Sequence, residues 1–166
     1  MALSSRVAAT VPGSSVPQSA QTLVVLLVGA LLGARLGAAT LVAWLLVGGL
    51  GAPVFAGGAS GWEHLVGPTA GYLLGFTVAA AAVGRLAERG LLRRPAPALA
   101  VMIGGHGVIL ALGWARLAGT LGPTTAFRQG VAPFVVGGVL KSLAAVAVVV
   151  AVARVKGASS LPAMED

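Results

Sequence analysis

Charge is nearly absent from five stretches of this chain, about Gln21 to Ala34, Gly37 to Leu50, Gly67 to Arg85, Pro97 to Leu117 and Val131 to Arg154. A soluble domain keeps roughly a quarter of its residues charged. Here 9% are charged, 57% are hydrophobic and the mean hydropathy is +0.97. Lipid is the solvent that suits such stretches, and in lipid the backbone must satisfy itself, which helices do. The chain therefore reads as an all-α, polytopic integral membrane helical bundle. The last three stretches are long enough to cross. The first two fall short of the ~20 residues a straight span needs, and Arg35 marks a very tight turn between them.

Three regions follow. Residues 1–20, "MALSSRVAATVPGSSVPQSA", contain no apolar core long enough for a secretion signal and read as a mobile polar tail. Residues 21–156 form the transmembrane domain, and residues 157–166 a second polar tail. Within the domain, "GAPVFAGGASGWEHLV" at 51–66 is too polar and glycine-rich for a helix and too apolar for a plain solvent loop. Irregular backbone at a membrane is tolerated where it lines a cavity, which makes this segment a candidate lid. The net charge of +7 comes from basic residues spread between apolar runs. That spread argues for orientation in a bilayer and against a nucleic-acid surface. Cysteine is absent, so there are no disulfides and no thiolate metal sites.

Glycines recur four apart, at 67, 71 and 75 and again at 29, 33 and 37. Each costs a soluble helix about 1 kcal/mol relative to alanine. In lipid, small residues at that spacing make a flat strip against which another helix packs closely. Helix packing is the main role expected of both strips, with close approach of a ligand to bare backbone as the alternative.

Enzyme chemistry has little to work with. The acids are Glu63, Glu88, Glu165 and Asp166, and the histidines are His64 and His106. They form no carboxylate pair, metal-ligand spacing or nucleophile–base set, so nothing in the sequence points to hydrolysis, phosphoryl transfer or redox catalysis. What stands out is a few polar residues in apolar surroundings. Lys141 lies about ten residues into the fifth stretch, ~15 Å deep at the helical rise. A lysine there costs about 2.5–3.5 kcal/mol and normally faces a cavity or a partner. His106 in "GGHGVIL" is also deep, and a bond to a neighbouring carbonyl is its ordinary role. Tyr72 suits core packing or pocket lining equally. Glu63 and His64 belong to the lid, and Glu63 is the acid placed to approach Lys141. A carbonyl near Gly137 or a bound ligand are the other partners open to that lysine.

Five blocks, "QTLVVLLVGALLGARLGA", "GAPVFAGG", "GPTAGYLLGF", "GHGVILALG" and "GVAPFVVGGVLK", occur in order from Gln21 to Lys141. Together they resemble the BioY family, the biotin-binding substrate-capture components of energy-coupling-factor transporters. The resemblance implies a helical bundle, usually of six helices where five are visible here, with a biotin pocket opening outward and no catalytic activity or cofactor. Phe55, Glu63, Gly67, Gly71, Tyr72, His106, Gly138 and Lys141 are the residues it places around the vitamin. It also implies a transmembrane coupling subunit and two cytoplasmic ATPases as partners in a prokaryotic cell membrane. Two departures are visible. Gly138 stands where the family has an aspartate one turn before the lysine, and the polar tail stands where the family commonly has an additional apolar helix. The alternative these departures suggest is a BioY-like membrane scaffold that has lost binding or coupling.

Arg35, Arg85, Arg89, Arg93, Arg94, Arg154 and Lys156 fall on one side of the membrane, against Arg6, Arg116 and Arg128 on the other. The richer side is expected to be cytoplasmic, leaving the lid outside. Ser60→Cys and Leu91→Cys test this in the cysteine-free chain. An impermeant thiol reagent applied to intact cells should label position 60 and spare position 91, and preferential labelling at 91 reverses the orientation.

Overall fold

The computed structural model describes Met1, Ser4, Ala8–Ala9 and residues 18–158; most of the amino-terminal tail and residues 159–166 lie outside the described residues. Among the described residues, one two-residue antiparallel pair, β1 (Ala8–Ala9) with β2 (Gln18–Ser19), accompanies six α-helices. These are α1 (Gln21–Gly49), α2 (Glu63–Val66), α3 (Ala70–Glu88), α4 (Pro95–Leu121), α5 (Pro123–Gly130) and α6 (Val135–Ala158). Among the described residues, four helical stretches are long and apolar enough to cross a membrane: α1, α3, α4 and the stretch Pro123–Val155 that holds α5 and most of α6.

The first of these stretches does not run straight. As a single rod, α1 would hold its ends ~42 Å apart. Instead Gln21 Nε2 donates to Val54 O at 3.0 Å, and a β-carbon on Gly37 would lie 3.1 Å from Gly29 Cα. The chain reverses at Gly33, whose φ of 81° and ψ of 179° lie outside the helical region. Only glycine adopts that conformation without strain. The two short stretches of the sequence are therefore a helical hairpin, and its turn is at Gly33 rather than Arg35. Nor are Gly29, Gly33 and Gly37 one strip on one helix. Gly29 packs on Ala80 of α3, Gly33 is the turn, and Gly37 folds back onto Gly29.

Helix α3 occupies the centre, packed against both α1 and α4. At the hairpin turn, a β-carbon on Gly84 would overlap the Gly33–Ala34 peptide. The Ala34 N–H, freed where the second arm begins, donates to Glu88 Oε1 at 2.8 Å. A carboxylate at a helix start satisfies an orphan donor and suits the helix dipole. On the other face, Gly71 and Gly75 sit against Leu112 and Ile109 of α4. The packing role expected of the second strip is met at these two positions. Pro95 opens α4 at a position where the missing N–H costs nothing. The core joins Val25, Leu26, Leu41, Val83, Met102 and Ile109. Leu36, Leu46, Leu74, Val136 and Leu140 face outward, as a lipid-contacting surface requires.

Two substitutions probe these contacts. Gly33→Ala imposes a strained backbone worth about 1–3 kcal/mol, and its β-carbon meets Glu88 Oε1 at 2.6 Å. Its melting temperature in detergent should fall well below that of Gly104→Ala, where space is open. Equal melting would mean the reversal is not built on Gly33. Likewise Gly71→Leu should cripple folding by overpacking, while Leu74→Ala, 60% exposed in the native chain, should leave expression and melting near wild type. Normal expression and melting of Gly71→Leu would place Gly71 on the lipid side.

Candidate functional site

The segment from Gly51 to Pro68 crosses one end of the bundle and roofs a cavity of about 350 Å³. Its fold is tighter than the lid expected from the sequence. A short 3₁₀ turn at Ala56–Gly58 and the single-turn helix α2 interrupt the irregular backbone. Phe55, 2% exposed, is the anchor. Its ring fits over Gly48 at the end of α1, stands edge-on to Trp44 at 5.2 Å and lies 5.9 Å from the His64 ring. Arg116 of α4 fastens the far end of the lid by donating to the Val66 carbonyl.

Below the lid the walls are largely apolar, from Tyr72, Leu73 and Phe76 on α3, Ile109 and Leu110 on α4, and Phe134 before α6. The Tyr72 hydroxyl is already engaged, donating to Gly130 O at 2.9 Å. Gly113 and Gly130 supply the space its ring and hydroxyl occupy. Tyr72 thus borders the cavity and ties α3 to the end of α5. The helix α5 has no counterpart in the sequence reading, because "PTTAFRQG" carries too few apolar residues to stand out.

Lys141 reaches the cavity from α6 and donates to Ser19 O at 2.7 Å. Its partner is therefore a carbonyl from the chain just before α1, neither Glu63 nor a carbonyl near Gly137. An ammonium has three donors, so two remain for an oxygen in the cavity. Ser19 and Gln21, missed from the sequence, form the opposite rim. Gln21 is 1% exposed; its Nε2 holds Val54 O and its Oε1 accepts from Ser19 Oγ at 3.0 Å. A glutamine heading an apolar run was the available signal. His106 lines the floor, with Nδ1 near Met102 O and Ser142 Oγ.

Seven of the eight expected site residues border this one cavity: Phe55, Glu63, Gly67, Tyr72, His106, Gly138 and Lys141. Gly71 does not. It is turned to α4, where a β-carbon would overlap Leu112 O, so it sets helix spacing instead of touching a ligand. Among the described residues, no three acidic or histidine side chains are grouped to hold a metal ion. The site is a largely apolar chamber with one ammonium on its wall, suited to binding rather than bond-making.

Comparison with known proteins agrees with this architecture. A probable biotin transporter BioY of Pyrococcus horikoshii is 38% identical over 131 residues, covering 79% of this chain and 76% of that protein. A biotin transporter BioY of Rhizobium etli is 40% identical over 139 residues, covering 78% and 74%. A crystal structure of the S-component for biotin from an ECF-type ABC transporter superposes with a TM-score of 0.78 at 20% identity, covering 89% of this chain and 80% of that one. This last likeness shows the shared fold. Residues 1–158 match the BioY family as a whole, and the chain belongs to that family.

Proposed function

We propose that this protein is the membrane-embedded, non-catalytic biotin-binding component of an energy-coupling-factor transporter, working in biotin uptake. The observation that carries the reading is the cavity beneath the 51–68 segment. Its volume falls in the range of about 300–1,000 Å³ typical of small-molecule sites, and its only deep ammonium among the described residues, Lys141, has two donors to spare. Biotin has a planar ureido ring fused to an apolar thioether ring to lie against Phe55, Tyr72 and Phe76, and oxygens on its ureido group and carboxylate to meet Lys141. Partial burial strengthens such a charged hydrogen bond, because the local dielectric is lower than in bulk water. The lid residues Glu63 and His64 border the entrance side, and Gly67 keeps backbone close to the chamber.

The protein sits in the plasma membrane of a prokaryote with this chamber outward and the Arg85–Arg94 end inward. A transmembrane coupling subunit and two cytoplasmic ATPases supply the energy for release inward. The sequence departure at Gly138 removes one carboxylate from the wall but leaves the chamber, the lid and Lys141 in place, which supports a binding protein over a bare scaffold.

Titration of labelled biotin into the purified protein in detergent is expected to give saturable binding. Lys141→Met should weaken it at least about tenfold, the lower end for a hydrogen bond to a charged group. Absence of saturable binding by the wild type would favour the scaffold, and an unchanged affinity in Lys141→Met would remove the lysine from the site.

A further inference from the structure

His106 is 6% exposed, and its two ring nitrogens are in opposite circumstances. Nδ1 lies 3.0 Å from Ser142 Oγ and 3.3 Å from Met102 O. The Ser142 hydroxyl has a single proton, which it donates to Gly138 O at 2.9 Å. Its oxygen therefore meets Nδ1 with a lone pair, and Met102 O is an acceptor too. Both neighbours accept, so Nδ1 carries the hydrogen and the neutral imidazole has a bare Nε2. That nitrogen is buried and has no partner. Leaving a buried acceptor unpaired is unfavourable, because the group has lost its water and gained nothing in exchange.

The surroundings say what would pair it. His106 lines the cavity; its Nδ1 edge is held by Met102 and Ser142, and Nε2 lies just beneath the surface without a partner. Gly138 lies beside the ring, where a β-carbon would be 3.6 Å from Cδ2, so position 138 itself puts no side chain there. Lys141 stands one turn further along the same helix with donors to spare. The floor of the chamber thus sets a neutral acceptor near a cationic donor. A group that carries N–H beside C=O, as a cyclic urea does, complements both.

We propose that His106 Nε2 is the acceptor for a ring N–H of the ligand, with Ser142 as the positioning residue that holds the tautomer. The inference rests on the biotin reading, since the ureido ring of biotin offers two such donors.

The test titrates two probes into the full chain in detergent: biotin, and a carbocyclic analogue with CH2 in place of each ring N–H. His106→Leu should weaken biotin about tenfold or more, and His106→Gln, which keeps an oxygen near the place of Nε2, should recover most of that loss. The analogue should bind wild type and His106→Leu alike. If leucine weakens both probes equally, the histidine only packs and the inference falls. A ¹⁵N spectrum of histidine-labelled protein adds a readout on the empty state, with His106 identified by its loss in His106→Gln. Nδ1 should be the protonated nitrogen, and the Nε2 signal should move when biotin is added. Protonation at Nε2 in the empty protein overturns the proposal. If the wild type binds neither probe, the biotin reading fails and the acceptor role with it; normal biotin binding that is indifferent to position 106 defeats the acceptor role alone.

Discussion

Everything in this bundle hangs on a helix reversal made with almost no loop. At Gly33 two helical arms meet inside a single element, and the turn survives because three contacts close around it. Gly84 of α3 presses against the turn peptide, Ala80 against Gly29, and Glu88 takes the N–H that the second arm leaves free. Each contact needs a missing side chain or a precisely supplied acceptor. Bare backbone against bare backbone is how helices associate where lipid removes the hydrophobic drive between them. With both arms packed against α3, the start of α1 is brought back to its own end, and that closure is what makes a site.

The chamber inherits its rim from the closure. Gln21 grips Val54 across the mouth of the hairpin, and the chain before it delivers Ser19 to Lys141. The aromatic walls follow the same logic of glycine making room. Phe55 covers Gly48, and Tyr72 fills the space left by Gly113 and Gly130. A wall built this way is rigid, since a buried ring bounded by backbone has little freedom to turn. Binding then requires little ordering of the protein, which favours affinity.

The apolar stretches were legible in the sequence because nothing else explains so little charge over such lengths, and the lid was legible from its glycines. The site residues came from the family blocks more than from chemistry, with Lys141 the exception: a lysine at that depth announces itself. What stayed hidden was long-range. Spacing four apart looks the same whether a helix continues or folds over, so Gly33 passed for one tooth of a comb when it was the hinge of a hairpin. Gly71 shares the strip of Gly67 but turns to α4. Ser19 reads as tail until the fold brings Lys141 to its carbonyl. The helix α5 lacks an apolar signal, although the Gly122–Pro123 junction marks where it starts.

The arms of the hairpin are short. Residues 21–32 rise only ~18 Å and residues 34–49 ~24 Å, against a hydrocarbon core of about 30 Å. Helices α4 and α6 have no such deficit. The molecule therefore presents the bilayer with two different hydrophobic heights, and the lipid beside α1 must compress while the lipid beside α4 need not. Such mismatch carries an elastic cost that falls when short surfaces share one compressed patch. The hairpin flank is thus the side on which the membrane itself pulls neighbours together, before any side chain of a neighbour has been specified.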